Sequence, residues 1–326
     1  MLWKNFFFVL LLVFVSFPLL TAQSTEKWFL YSRNFFTVLV VIKMNLLQNS
    51  SFMFLLAVFI GLFLPGLAES LKDFVIPVLA VIMTLSLIGL KFSDIRATAI
   101  IPYLLLNYVF LSGIIVLSTL LLIDDRDLML GFFVMAAAPP AVAIVPFSKL
   151  LEADAAEAAI SNAGIYMTSL LLTPLIMLLL TGSSASFFEI LEALIILIVL
   201  PIIVSRFLHI KRTKESINIG FFIVIYTVIG LNVENLSFYL YPVIIIAILR
   251  TFASGSIILF ASLKNETIFE TSMVRALFAS YKNLGFTAGV ALVIFGEEAS
   301  IPAAICILFE VLLFNYYSAL KNKIKL

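Results

Sequence analysis

The sequence has few charged residues and a single cysteine, and each shortage excludes a class of protein or site. Only 12% of the 326 residues are charged, which is too few to cover the surface of a soluble domain. The lone cysteine, Cys306, excludes an intramolecular disulfide framework and a cysteine-based metal site. The hydrolase patterns HExxH and GxSxG are missing, and all six aspartates fall at or near predicted loops. We therefore expect a protein that is not an enzyme. A net charge of +1 gives no indication of nucleic-acid binding.

Long apolar runs make up most of the chain. Hydrophobic residues account for 63% of the sequence, and from Ser51 onward the pattern predicts ten segments, each long enough to cross a bilayer with some tilt. They lie near residues 52–67, 73–90, 98–123, 128–150, 154–181, 187–208, 217–233, 237–263, 268–296 and 300–320. The sequence therefore predicts an all-α polytopic membrane protein with ten transmembrane helices, here called spans one to ten.

Residues 1–43 form an extension for which the sequence leaves several interpretations open. A basic residue precedes a long apolar run, as in a secretory signal, and small residues follow near Ser24. Cleavage there would leave Lys27, Arg33 and Lys43 outside the cell, which the charge pattern of the chain opposes. The extension is thus a signal, an additional anchor helix, or a segment upstream of a working start at Met44. We treat it as accessory to the ten-span unit.

Basic residues in the predicted loops set the orientation. Those on one side of the membrane are Lys27, Arg33, Lys43, Lys91, Arg96, Lys149, Arg206, Lys211, Arg212, Lys214, Lys264, Lys321, Lys323 and Lys325, against only Lys72 and Arg126 on the other. Short loops rich in Lys and Arg stay in the cytoplasm. We expect a multi-pass protein of the cell membrane with both ends of the ten-helix unit in the cytoplasm.

The ten spans divide into two groups of five, residues 44–185 and 186–326. An odd number of spans in each half places the halves in opposite orientations, which is the layout of an inverted repeat. Pro139-Pro140 interrupts span four, because proline removes an amide donor and disturbs the preceding turn. Span nine contains Lys282, and a lysine at the bilayer centre costs roughly 2.5 to 3.5 kcal/mol on insertion scales. We expect spans four and nine to be broken and to cross at mid-membrane beside a shared cavity.

Five stretches of sequence resemble the bile acid:sodium symporter family in their order and spacing. They are GLFLPG in span one, PVLAVIMTLSLIGLKF in span two, AAAPPAVAIVPFSKLLEADAAEAAISNAGIYMTSLLLTP across spans four and five, VLPIIVSRFL in span six and ASYKNLGFTAGVAL in span nine. The resemblance covers most of residues 45–320. It implies a ten-helix carrier with inverted repeats, in which spans four and nine cross near the substrate cavity.

The positions that bind sodium in that family hold mostly hydrocarbon here. The resemblance places two ligand positions of span four on Ile144 and Val145, and the acidic ligand of span nine on Phe278. In span five, the corresponding positions are Ala158 and Asn162, of which only the second can coordinate an ion. A hard cation needs several oxygen donors. We therefore expect sodium coupling to be lost, and we expect no metal ion or other cofactor.

Lys282 is the centre of the candidate site. The resemblance places it on a glutamine position of the family, where its charge would replace a cation and attract an anionic substrate. The alternative is a lysine that only joins helices by pairing with a carboxylate or with carbonyl groups. The candidate substrate-binding residues are Lys282, Asn283, Tyr281, Pro139, Pro140 and Asn162.

Three other ionisable residues matter for the mechanism. A desolvated lysine can exchange a proton, so Lys282 is one candidate for coupling, and Glu157 near the start of span five is another. A solvated helix start explains Glu157 equally well. Arg250 in span eight and Glu310 in span ten have opposite signs at similar depth, which predicts a structural ion pair.

These observations favour a secondary transporter that moves a small organic anion by alternating access, coupled to protons or uncoupled. The expected partners are the substrate and the lipid bilayer, with no nucleic acid. The alternative is a non-transporting sensor or structural relative that retains the transporter fold, because the sodium ligands have become hydrocarbon.

Overall fold

The structure is a computed structural model that describes residues 46–48, 50–88, 97–182, 188, 192, 195–208, 210, 214–233, 236–265 and 267–324. The chain divides into two units, Met1–Leu46 and Leu47–Leu326, and the helices numbered in this section all belong to the second unit. The predicted extension 1–43 lies outside the described residues. The same holds for several basic residues that orient the chain, namely Lys91, Arg96, Lys211, Arg212 and Lys325.

Helices make up nearly all of the described residues. We number the α-helices in chain order: α1 Ser50–Phe63, α2 Ala68–Leu71, α3 Val75–Leu87, α4 Ala97–Leu104, α5 Ser112–Leu122, α6 Arg126–Ala137, α7 Ile144–Leu150, α8 Ala155–Thr181, α9 Leu200–Ser205, α10 Lys214–Leu231, α11 Leu236–Ile248, α12 Ser254–Lys264, α13 Phe269–Phe278, α14 Leu284–Phe295 and α15 Glu297–Ile324. Short 3₁₀ turns at Pro65–Leu67 and Lys72–Phe74 flank α2. The π-helical segments Leu105–Leu111 and Leu249–Ala253 join α4 to α5 and α11 to α12, and a third, Ile195–Val199, precedes α9.

Several of these helices are long and apolar enough to cross a membrane. Among the described residues four uninterrupted stretches qualify, namely Ile100–Leu122, Ala155–Thr181, Tyr241–Lys264 and Glu297–Lys321. A fifth candidate is the pair Phe52–Phe63 and Pro65–Leu85, which is bent by 90°. The stretches Glu215–Leu231 and Leu284–Phe295 are apolar but shorter. The fold is therefore that of a helical, membrane-embedded protein, and the predicted spans four and nine are each divided into two short helices.

The two divided helices end and restart for different reasons. Helix α6 stops because Ala138 precedes a proline, and its ψ of 149° is extended rather than helical. The second break contains no proline. There the side chain of Asn283 accepts a hydrogen bond from the Phe286 amide at 3.0 Å and so caps the start of α14.

The buried apolar residues form two clusters that meet at these breaks. One cluster contains α6 up to Ala138 and α14 from Leu284 onward. The other contains α7 and α13, from Ala141 on one chain segment to Tyr281 on the other. The breaks therefore lie in a layer between the two clusters, and this layer holds the buried polar side chains of the candidate site.

Candidate functional site

The two helix breaks contact each other through their backbones. The amide of Asn283 donates a hydrogen bond to the Pro139 carbonyl at 2.8 Å. Pro140 and Lys282 form an isolated antiparallel β-bridge. The structure thus brings the predicted residues of the two broken helices together, and their chain segments run in opposite directions where they meet.

Lys282 closes the open end of α6. Its Nζ donates to the carbonyls of Ala136 and Ala138 at 3.0 and 2.9 Å, and the side chain is fully buried. The last carbonyls of a helix have no partner within the helix and hold a partial negative charge, which favours a cation there. The same ammonium lies 4.5 Å from the centre of the Tyr108 ring, a cation–π distance.

A second buried cation forms a hydrogen bond with the other break. Arg250, in the π-helical segment before α12, is fully buried and donates from Nη2 to the Ser280 carbonyl at 2.8 Å. Its Nη2 also lies 2.6 Å from Oε1 of Glu310 on α15. The same carboxylate oxygen accepts a hydrogen bond from the Lys282 amide at 3.2 Å. The ion pair is thus tied directly to the backbone of the second break.

Asn107 completes the hydrogen bonds of this break. It lies in the π-helical segment between α4 and α5, and its Nδ2 donates to the carbonyls of Phe278 and Tyr281 at 2.9 and 3.1 Å. Neighbouring Ser112 donates to the Ala136 carbonyl at 2.6 Å. The continuous stretch Ile100–Leu122 therefore supplies donors to both open helix ends.

Tyr166 on α8 links the two breaks to each other. Its hydroxyl donates to the Pro140 carbonyl and accepts from Nδ2 of Asn283, both at 2.9 Å. One turn earlier, Asn162 donates to the Ala141 carbonyl at 3.3 Å, and its buried Oδ1 has no hydrogen-bond partner among the described residues. Asn283 and Asn162 are therefore engaged with the protein itself.

The predicted substrate residues are enclosed in this conformation. Lys282 and Tyr281 are fully buried, while Asn162 and Asn283 are exposed by 1% and 4%. The Tyr281 hydroxyl donates to the Glu310 carbonyl at 2.8 Å rather than pointing into an opening. Two cavities of about 480 and 660 Å³ are lined by other residues. In this conformation the predicted substrate residues therefore do not face an open cavity.

Glu157 lies away from the crossing. Asp154 caps α8 by accepting from the amides of Ala156 and Glu157 at 3.0 and 2.9 Å. The Glu157 carboxylate accepts from the Thr271 hydroxyl at 3.2 Å, which ties the start of α8 to α13. This half-buried position is that of an acidic residue in the first turn of a helix.

The residues predicted from the sequence do not include three polar residues of the site, Tyr108, Tyr166 and Asn107. Tyr108 and Tyr166 lie in apolar runs where aromatic residues usually serve packing, and the pattern around Asn107 indicates no more than ordinary contact between helices. A polar group in the middle of a predicted span is the available signal for all three. Within the described part of the chain, no group of three or more His, Cys, Asp or Glu residues is placed to hold a metal ion.

The chain matches no protein-family model, and no curated protein is significantly similar to it.

Proposed function

We propose that this protein is a secondary carrier for a small organic anion, of the bile acid:sodium symporter type, that works by alternating access without sodium. The observation behind the proposal is the buried Lys282 ammonium between the two broken helices, held by the Ala136 and Ala138 carbonyls. Broken helices whose open ends meet inside the membrane are typical of ion-coupled carriers. Here a covalently attached cation stands at their meeting point.

The order of the helices supports an inverted repeat of five plus five spans. A shift of 143 residues carries Arg126, the first residue of α6, onto Phe269, the first residue of α13. The same shift carries Asn107 onto Arg250 and Pro139 onto Lys282. It also brings the long helix α8 into register with α15, and one joining π-helical segment into register with the other. The antiparallel bridge between the breaks agrees with opposite orientations of the two halves.

Ion pairs near the helix ends support the predicted grouping of these ends on two sides of the membrane. Lys72 pairs with Glu297, and both belong to the side that the charge pattern assigns to the exterior. Glu152 and Lys321 lie 3.0 Å apart, and both belong to the side assigned to the cytoplasm. Each pair joins residues that the predicted topology places on the same side. We propose a multi-pass protein of the cell membrane with both ends of the ten-span unit in the cytoplasm.

The surroundings of the crossing support sodium independence. Ile144, Ala158 and Phe278 are fully buried and offer no oxygen atom from their side chains. The Phe278 ring packs against Tyr103 with ring centroids 4.9 Å apart, so an aromatic contact occupies the position of the family's acidic ligand. Of the ligand positions that the resemblance gives, Asn162 alone offers a side-chain oxygen, whereas a hard cation needs several. Coupling to protons through Lys282, or no coupling, is then the remaining arrangement.

The charge balance favours an anionic substrate. Lys282 and Arg250 are both buried at the crossing, and Glu310 is the one carboxylate that contacts this layer in the described residues. Two cations against one anion leave a positive excess, which an anion entering between the broken helices would neutralise. The complete enclosure of the site favours the second candidate, a non-transporting sensor or structural relative with the same fold.

Transport in liposomes tests the proposal. The purified chain is reconstituted, and uptake of a panel of labelled organic anions is measured with imposed sodium gradients, imposed proton gradients and preloaded substrate. We expect uptake or exchange that does not depend on sodium. Saturable dependence on sodium would contradict sodium independence. The absence of both gradient-driven uptake and exchange would favour the non-transporting candidate.

The variant Lys282→Gln tests the role of the central charge. It removes the cation but keeps two N–H donors, so we expect anion uptake to fall by an order of magnitude or more, as for the loss of a charged hydrogen bond. Lys149→Gln, which neutralises an exposed lysine on α7, is the matched control and should transport normally. If uptake and its pH dependence survive in Lys282→Gln, the lysine is structural only.

A further inference from the structure

A groove of about 660 Å³ runs along the outside of the protein between the π-helical segment Leu105–Leu111 and α12. Leu105, Val109 and Ile258 form part of its apolar wall. Leu105 and Val109 are one helical turn apart and are exposed by 49% and 62%. In a membrane-embedded protein such an outward apolar wall faces lipid chains.

The polar lining of the groove gathers at one end. Ser262 and Asn265 lie where α12 finishes, and Arg275 reaches the same end from α13. Lys264, the last residue of α12, is exposed there. The groove therefore has an apolar wall along its length and polar groups at one end. This arrangement matches an amphiphile, which has an apolar chain and a polar headgroup.

Arg275 has unused capacity for an anion. Its guanidinium is half-buried, its Nη1 donates a long hydrogen bond to the Thr267 hydroxyl at 3.4 Å, and the neutral hydroxyl of Tyr103 lies nearby. No acidic side chain forms an ion pair with it among the residues that the structure describes. A guanidinium presents a planar set of donors that matches the oxygens of a phosphate.

We infer that this groove is a binding site for an anionic phospholipid. The headgroup phosphate pairs with Arg275 beside Ser262 and Asn265, and an acyl chain lies along Leu105 and Val109. Charge complementarity selects the negative headgroup, and the apolar wall selects a lipid over a free anion. The site is separate from the crossing of the broken helices, and the inference does not depend on transport.

Lipid binding to the purified full-length protein in detergent tests the inference. Thermal unfolding is followed while phosphatidylglycerol, phosphatidylcholine or inorganic phosphate is titrated, and an apparent Kd is taken from the rise in Tm. We expect phosphatidylglycerol to raise Tm, and we expect phosphatidylcholine and phosphate to have little effect. Equal stabilisation by phosphatidylcholine would overturn the inference, as would equal stabilisation by phosphate alone.

Three variants separate a built site from general surface attraction. Arg275→Gln should weaken phosphatidylglycerol binding about ten-fold or more, since it removes a charged hydrogen bond. Lys264→Gln removes a nearby charge outside the groove lining and should cost no more than about five-fold, the effect of one surface charge. Val109→Trp fills the groove from an exposed position with all charges intact, and it should also weaken binding about ten-fold. Equal losses in Arg275→Gln and Lys264→Gln, or unchanged binding in Val109→Trp, would refute the site.

Discussion

Replacing Glu310 with Gln tests the electrostatics of the crossing directly. The substitution keeps the size of the side chain and one acceptor oxygen but removes the negative charge. Arg250, which is fully buried, then loses the carboxylate that lies 2.6 Å from its Nη2. Its Nε and Nη1 atoms have no hydrogen-bond partner among the described residues. The guanidinium therefore remains as an uncompensated charge close to a second cation, Lys282.

The expected loss of stability follows from this burial. Removing one partner of a buried ion pair costs about 3 to 5 kcal/mol, because the remaining charge stays desolvated. In Arg250→Met/Glu310→Gln neither member of this ion pair leaves a charge behind, and the main penalty is the Ser280 carbonyl without its donor, about 1 to 3 kcal/mol. We therefore expect the double variant to be more stable than Glu310→Gln alone.

The free energy of unfolding can be measured by titrating a denaturing detergent into mixed micelles that contain the purified protein. The matched control is Glu152→Gln, which breaks the pair with Lys321 at a side chain that is 60% exposed. Exposed pairs contribute about 0 to 1 kcal/mol. A loss below about 1 kcal/mol in Glu310→Gln would refute the reasoning, as would a double variant less stable than the single one.

Three further substitutions, one of them a control, probe packing and hydrogen bonding around the crossing with the same unfolding assay. Gly131→Ala should cost about 1 to 3 kcal/mol, because its Cβ would lie 2.1 Å from the Ala299 carbonyl oxygen on α15. Gly113→Ala, whose Cβ would meet no atom of the described residues within 4 Å, should leave stability unchanged or raised, and equal losses in both would contradict this close packing. Tyr166→Phe removes the hydroxyl between Asn283 and a carbonyl of the first break, and it should cost about 1 to 3 kcal/mol. A smaller loss would mean that water replaces the hydroxyl.

The sequence predicts the positions of the helix breaks better than the shapes of the helices. Two adjacent prolines forbid continued helix whatever the surroundings, so the first break is a local property. The second break rests on Lys282 and on Asn283, whose short side chain competes with the helix for backbone groups. The π-helical segment Leu105–Leu111 is different, because its residues form an ordinary apolar run. Its π-helical geometry occurs together with the hydrogen bond from Asn107 to the Phe278 carbonyl of α13. The local sequence does not indicate this tertiary contact.

The partners within the site depend on tertiary placement in the same way. The sequence predicts the ion pair of Arg250 and Glu310, because two opposite charges at one depth in a membrane have few other partners. Lys282 allowed two interpretations, since a buried ammonium can meet a ligand or backbone carbonyls equally well. In this conformation it meets carbonyls. Whether Lys282 contacts a ligand or the carbonyls depends on how the carboxyl end of α6 is placed relative to the second break.

The two breaks are chemically complementary rather than alike. Pro139 and Pro140 have no amide hydrogen, so the first break presents mainly acceptors to its neighbours, and its carbonyls receive bonds from Lys282, Asn283 and Tyr166. The second break supplies donors from its amides and side chains. Under the proposed repeat, Pro139 corresponds to Lys282 and Pro140 to Asn283. The symmetric counterpart of the hydrogen bond from Asn283 to the Pro139 carbonyl would run from Pro140 to the Lys282 carbonyl. Pro140 has no amide hydrogen to donate, so this second hydrogen bond cannot form.

This difference gives a physical reason for the central lysine. Two helix ends that both presented carbonyls would need a mobile cation between them, whose binding could then drive transport. Under the proposed repeat, the break in one half contains that cation as the Lys282 side chain, and the backbone of the break in the other half presents mainly acceptors. The crossing can therefore close without an ion from solution. Any movement that opens it must separate the ammonium from the Ala136 and Ala138 carbonyls, and an incoming anion is the ligand that could replace them.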